Sequence, residues 1–223
     1  MRKLIRGIMD FRKNRRPEYI ETFARLALGQ APDALFIACS DSRVAANLFA
    51  STEPGDLFVV RNVGNLVPRG NEHGLAEKDG SVAAAIEFSS AVLKVRDIVV
   101  CGHSECGAMK ALLEGRNVAP PLKAWLTHAQ EPLRKLKAGT RMNAQLEPHN
   151  HLSQLNVLEQ MEHLRTYPIV RERIAAGELR LNGWWFDIAN AEVSAYEEAA
   201  GRFVVIDEAE GNRLLERQDK EPT

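Results

Sequence analysis

The sequence predicts an α/β fold in which a mainly parallel central β-sheet is flanked by helices. Three observations carry this. Short apolar runs at 34–39, 57–60 and 98–101 are continuous rather than alternating, as strands buried on both faces are. Stretches of helical character separate them, and the alanine-rich stretch 81–93 is long enough to cross over between parallel strands. Strands alternating with helices are the pattern of a parallel sheet covered by helical layers.

Taken in order, the first thirty residues read as helices. Leu4, Ile5, Ile8 and Phe11 recur at helical spacing, Pro17 suits the first turn of a second helix running over 19–28, and Gly29 ends it. Such helices pack either on a partner subunit or on their own domain. After the third strand a helix over 105–113 follows directly. Pro120, Pro121, Pro132 and Gly139 interrupt the middle of the chain, with helices expected over 122–128, 152–164 and 168–177. Residues 179–186 read as a late strand and 203–206 as one more. The charged tail from Glu208 is expected to fray. No linker divides the sequence, so residues 1–223 are expected to form a single domain, with a helical arm at about 1–30 and a charged tail at about 208–223.

Composition narrows the function. An apolar fraction of 45% with a net charge of −1 describes a globular chain without the electrostatic footprint of a nucleic-acid or membrane-surface partner. No apolar run reaches transmembrane length. Arg6, Asp10 and Arg12 interrupt any apolar signal core after Met1, so a cytoplasmic location is expected. Three cysteines, an odd and small number, argue against a disulfide framework and for metal binding or catalysis.

The chemistry concentrates in two segments. Gly102-His103-Ser104-Glu105-Cys106-Gly107 places an imidazole and a thiol one turn apart where a strand ends and a helix begins. Cys39 ends another predicted strand at the same edge of the sheet, where ligands bind in open α/β folds. Three protein ligands with one solvent position is the catalytic zinc pattern, whereas four protein ligands is the structural one. Asp41 decides between them. It either closes the coordination sphere or is held away by Arg43, two residues further on, through paired charge-assisted hydrogen bonds.

Cys39-Ser40-Asp41-Ser42-Arg43 and the 102–107 segment, with Glu53-Pro54-Gly55-Asp56-Leu57-Phe58 and Arg61-Asn62-Val63-Gly64-Asn65, resemble the β-class carbonic anhydrases over about residues 3–206. The resemblance implies one Zn2+ per chain on Cys39, His103 and Cys106, with Asp41 and Arg43 as a catalytic dyad. It implies zinc-dependent, reversible hydration of carbon dioxide to bicarbonate and a proton by attack of zinc-bound hydroxide. It further implies a pocket of the plant-like type, in which Gln30 donates to bicarbonate, Phe58 and Val63 line the wall, Phe88 stands where a tyrosine is common, and the Gly107 N–H faces the bound oxygen. A homodimer or higher homo-oligomer is implied, with Gln30 and Phe58 acting across the interface. A second type in the family binds regulatory bicarbonate through Trp, Arg and Tyr. Phe36, Arg61 and Phe186 stand at those positions, two of them departures, so that site is expected to be absent. Ala46, where a proline is frequent, lies beyond the dyad. Cys101 is expected to be a buried small side chain, and His73, His128, His149, His151 and His163 to be surface residues. Two other functions remain open: hydrolysis of carbon disulfide or carbonyl sulfide on the same fold, or a non-catalytic zinc-binding module.

Overall fold

The computed structural model describes residues 1–76, 79–143 and 145–220. Among them, β1 (Ala34–Cys39), β2 (Leu57–Asn62), β3 (Asp97–His103), β4 (Arg180–Asp187), β5 (Glu192–Glu197) and β6 (Arg202–Val205) form one sheet in the order β2-β1-β3-β4-β5-β6. The first four run parallel, and β5 and β6 extend the sheet antiparallel. The continuous apolar runs occupy its centre: every residue of β1 is buried.

The two faces of β1 bury different clusters. Leu35 and Ile37 pack with Val82, Ile86, Val157, Leu164, Tyr167 and Val170. These come from α4 (Gly80–Glu87), α8 (Pro148–Leu164) and α9 (Pro168–Ala175), with Tyr167 just before α9. Phe36 and Ala38 face the other way, against Val44, Ala46, Val99, Cys101 and Phe186. That face is covered by the single turn α3 (Ala46–Phe49). A third cluster gathers Cys39 and Cys106 with apolar residues of α5 (Gly107–Leu113), α7 (Gln130–Lys137) and α8. Between α5 and α7 lies α6 (Pro120–Trp125). A close contact sets α8 on the sheet. A Cβ at Gly102 on β3 would lie 2.7 Å from Val157 Cγ2 and 3.2 Å from Ser153 Oγ, closer than packed side chains tolerate.

The arm is α1 (Arg2–Asp10) and α2 (Arg16–Leu26), joined without a break by a wider, π-helical turn at Phe11–Arg15. Pro17 sits in the first turn of α2, directly after the π-helical turn, so its missing N–H falls where the regular ladder is already interrupted.

Several expectations need correction. Over its described residues the tail forms a helix instead of fraying, α10 (Glu208–Lys220); residues 221–223 lie outside the described residues. Asp207 Oδ1 accepts the Glu210 N–H at 2.8 Å, and Arg213 ties Glu197 of β5 to Glu210. The helix expected over 152–164 begins four residues earlier at Pro148, and Pro132 starts α7 instead of breaking it. Strand β5 was not foreseen, because Glu192-Val193-Ser194-Ala195-Tyr196-Glu197 has weak alternation and is held by pairing to β4 and β6. His151 and His163 are buried, not at the surface. The inward polar face of α8 gives each a partner: His151 Nε2 accepts the Asn143 N–H at 3.2 Å, and His163 Nδ1 donates to the Val67 carbonyl at 2.6 Å.

Candidate active site

Parallel pairing brings the carboxyl ends of β1 and β3 side by side, with Ala38 beside Cys101. Cys39 closes β1, His103 closes β3, and Cys106 lies directly before α5; all three are buried. Their ligand atoms lie within 4.8 Å of one another. The His103 Nδ1–H donates to the Ser104 carbonyl at 2.7 Å, which leaves the lone pair on Nε2. That Nε2 is buried without a hydrogen-bond partner. A buried acceptor facing two thiols is costly unless a cation fills the gap.

Sulfur electrostatics point the same way. A hydrogen bond from Cys106 lowers the Cys39 thiol's pKa, and the Gly64 N–H supports it at 3.3 Å. The same partnership and burial push Cys106 upward. With one thiol pulled down and its neighbour pushed up, a positive charge between the two sulfurs would favour both as thiolates. Tetrahedral zinc with bonds of about 2.0–2.3 Å needs donors about 3.5–3.8 Å apart, within small adjustment of this cluster. The donor set, two sulfurs and one imidazole nitrogen, fits zinc.

Asp41 lies outside the three-residue cluster. Its Oδ1 accepts from the Arg43 backbone N–H at 3.0 Å and Nε at 2.9 Å, and its Oδ2 accepts from the guanidinium at 2.7 Å. This pairing holds the Asp41 carboxyl well below the usual carboxylate range. Arg43 is 48% exposed, so the pair adds little stability, about 1 kcal/mol at most; what it fixes is orientation and charge. Arg43 also donates to the Glu105 carbonyl at 3.2 Å, linking the two ligand segments.

Glu105 holds a left-handed φ of 59°, uncommon for a residue with a side chain. Its N–H donates to Asn150 Oδ1 at 2.8 Å, and its carboxylate binds Lys110, His149 and Asn150. Lys110 first, then His149, hold that carboxyl at about 2.

The remaining pocket residues divide. Val63 and Gly107 lie at the same end of the sheet as Cys39, His103 and Cys106; Val63 is exposed beside Gly64, its carbonyl accepting the Trp125 indole N–H at 2.8 Å. Phe58 pairs with Leu35, whereas Cys39 pairs with Asn62. Four residues of strand are about 13 Å, so Phe58 sits near the amino end of β1. It packs there on Phe88, ring centroids 5.8 Å apart. Gln30 is exposed in the loop that enters β1. One chain therefore does not bring Gln30, Phe58 and Phe88 to the cysteines.

Arg61 and Ser153 brace the site in ways that no local motif announces. Arg61 donates to the Cys39 carbonyl at 2.9 Å and the Asp41 carbonyl at 2.6 Å, clamping the loop between them. Ser153 donates to the His103 carbonyl at 2.8 Å. Phe186 stacks on Phe49 at 4.7 Å, in the same apolar cluster as buried Phe36. Cys101 is buried on the opposite face from Cys39, its thiol pushed up to about 12 by burial.

The family model for carbonic anhydrase matches residues 34–193. Carbonic anhydrase from Pseudomonas aeruginosa is 41% identical over 210 residues, covering 93% of both chains. That of Synechococcus elongatus is 40% identical over 211 residues, covering 93% of this chain and 76% of the other. Among solved structures, the β-carbonic anhydrase CcaA aligns with a TM-score of 0.84 at 37% identity, over 92% of this chain and 98% of that one. A tetrameric β-carbonic anhydrase of Sordaria macrospora aligns at 0.74 and 31%, over 87% and 95%. Sequence identity across nearly the full length and the shared fold together place this chain in the β-carbonic anhydrase family, lyases that hydrate carbon dioxide.

Proposed function

We propose that this chain hydrates carbon dioxide reversibly with one zinc ion held by Cys39, His103 and Cys106. The carrying observation is the buried, unpartnered His103 Nε2 grouped with two cysteine sulfurs. When bound there, zinc acidifies water so that a nucleophile is available near neutral pH. Asp41 is the residue that would orient this water, by accepting a hydrogen bond from it. Both its oxygens are held by Arg43, and Oδ2, with one donor, keeps an open acceptor position. Asp41 stays anionic because Arg43 stabilises the charge. Since that pairing occupies Asp41, the catalytic arrangement of three protein ligands is favoured over a closed structural site.

Carbon dioxide rests against Val63 in this reading, and the Gly107 N–H and Gln30 stabilise the charge that develops on the product oxygen. Gln30, Phe58 and Phe88 reach the pocket from a second copy, so the working unit is a homodimer or a larger homo-oligomer. Exposed Leu4, Ile8, Phe11 and Phe23 on the arm, with exposed Phe88 and Val92, supply the apolar surface for that contact. The two ligand cysteines must stay reduced, which suits the cytoplasm.

The test is a stopped-flow pH-indicator assay with dissolved carbon dioxide. Hydration should vanish when zinc is stripped by a strong chelator and return when zinc alone is added back. Unchanged activity in metal-free protein would overturn the proposal.

A further inference from the structure

The structure assigns Asn156 as a positioning residue for the metal centre: it holds the Gly64 carbonyl and so restricts the backbone angles of the residue whose N–H, in the preceding peptide unit, points at Cys39 Sγ. This rests on the reading of Cys39, His103 and Cys106 as metal ligands and goes beyond it, since Asn156 touches neither metal nor substrate.

Asn156 lies in the middle of α8 and is 0% exposed. Its Nδ2 donates to the Gly64 carbonyl at 3.0 Å, and its Oδ1 accepts from Gln160 Nε2 at 2.9 Å. Gln160 Nε2 also donates to the His128 carbonyl at 3.2 Å, while Gln160 Oε1 accepts the Val67 N–H at 2.8 Å. Each amide is therefore locked in one orientation, and the donor of Asn156 can only face Gly64. Gly64 has φ +85°, and a Cβ there would lie 3.1 Å from Ala108 Cβ. A glycine gains from external constraints that hold its backbone angles; the Trp125 indole fixes the peptide on its amino side through the Val63 carbonyl, and the Asn156 bond fixes the one on its carbonyl side. The Gly64 N–H then meets Cys39 Sγ at 3.3 Å.

One helix face thus serves both strand ends. Ser153, one turn before Asn156, donates to the His103 carbonyl at 2.8 Å. Helix α8 holds His103 through Ser153 and the Cys39 sulfur environment through Asn156 and Gly64. Groups that orient metal ligands in this indirect way commonly tune affinity by about 10–100-fold.

The decisive measurement uses unmodified protein loaded with an NMR-active cadmium isotope. Scalar coupling between cadmium and the Gly64 amide proton is expected, transmitted through the N–H···S contact. Asn156→Ala should weaken or abolish that coupling and raise the zinc dissociation constant about tenfold or more. Thr166→Val is the matched control. Thr166 Oγ1 accepts the Gly70 N–H at 2.8 Å, anchoring the far end of the same loop without touching Gly64. It should lower thermal stability but leave coupling and zinc affinity unchanged. If Asn156→Ala does not fold, Asn156→Ser takes its place in the same comparison. Stoichiometric cadmium without coupling at Gly64, or equal loss of zinc affinity in both variants, overturns this inference and leaves the metal centre standing. Failure of the native chain to bind cadmium at all overturns the metal-centre reading and this inference with it.

Discussion

At the carboxyl end of β1, Cys39 is buried, and its carbonyl, its sulfur and the loop beyond it are all hydrogen-bonded within the chain. Before the same strand in the chain comes the arm, where α1 has no buried residue and Leu4, Ile5 and Ile8 are 65%, 51% and 66% exposed. The first region is complete in one chain; the second presents apolar surface that asks for another surface to cover it. The residues of the proposed pocket follow this division. Cys39, His103, Cys106, Asp41 and Arg43 belong to the self-sufficient end, whereas Gln30, Phe58 and Phe88 belong to the end that faces outward. Metal binding and full activity should therefore be separable properties.

The strongest way to break this division is to remove a ligand. Cys106→Ala should drop zinc from about one per chain to near zero and abolish hydration, because two ligands remain and Arg43 holds Asp41, the nearby carboxylate, away from the metal. Cys101→Ala, on the opposite face, should keep both metal and rate. Elemental analysis checks the pair, and zinc retained in Cys106→Ala would mean that the ligand set is wrong.

Next in size is Arg43→Ala. The rate should fall about 10²–10⁴-fold, the range for losing a positioned proton acceptor, while zinc stays bound. Released Asp41, two residues from Cys39, should then compete for the metal, and a crystal structure of the variant should reveal its carboxylate there. Near-normal hydration by this variant would show that another group orients the water.

The outward-facing half is tested on the arm. Ile8→Glu with Phe11→Glu places charges on residues already exposed in one chain, so folding should survive. The dimer dissociation constant should rise about 30-fold or more, as for loss of about 2 kcal/mol at an interface. Sedimentation should then detect monomers that keep zinc and have lost most activity. Fully active monomers would join the two halves of the site in a single chain.

A smaller effect concerns pH. Burial holds His163 below its ordinary value, against Glu159, which raises it, and Arg69 and His128, which lower it further. With the folded value depressed, stability is intact above about 6.5 and is lost as pH falls from there toward the folded value, because the unfolded chain binds the proton first. His163→Gln should flatten the decline in melting temperature between neutral and mildly acidic buffer; an unchanged slope would assign the proton uptake elsewhere. The smallest expected effect is none. With Phe36 and Phe186 in an apolar cluster and Arg61 engaged by two carbonyls, bicarbonate should act only as product. Cooperative inhibition by added bicarbonate at fixed pH would contradict that.

The parallel strands and the residues at their ends were legible in the sequence because each is a contiguous signal. An unbroken apolar run announces a buried strand, and Cys39 to Arg43 and Gly102 to Gly107 each fit within a few residues. What escaped was long-range or identity-blind. The Gly64 donor is a backbone N–H, which every residue but proline carries. Helix α8 carries Asn150, His151, Ser153, Asn156, Glu159, Gln160 and His163, all buried, which in sequence resemble a solvated face. Asn156, Gln160 and His163 are buried against the loop at 63–70, whose backbone groups they satisfy across roughly ninety residues of chain, while Asn150 and Ser153 serve the 103–105 backbone and His151 that of Asn143. Likewise, α10 depends on Glu197, on a strand the alternation did not announce.

Gly102 carries a practical consequence for anyone wishing to harden this enzyme. Replacing glycine with alanine is a routine route to thermostability, worth about 0.4–1 kcal/mol where the backbone and space permit. Gly29 meets those conditions, with nothing within 4 Å of an added methyl group. Gly102 does not: its methyl group would collide with Val157 and crowd Ser153 and the Trp185 ring. The displaced helix would carry Ser153 and Asn156 away from the backbones they hold. A screen scored on melting temperature alone could therefore accept a compensated Gly102 variant whose metal site has come out of alignment, so zinc retention belongs in the selection.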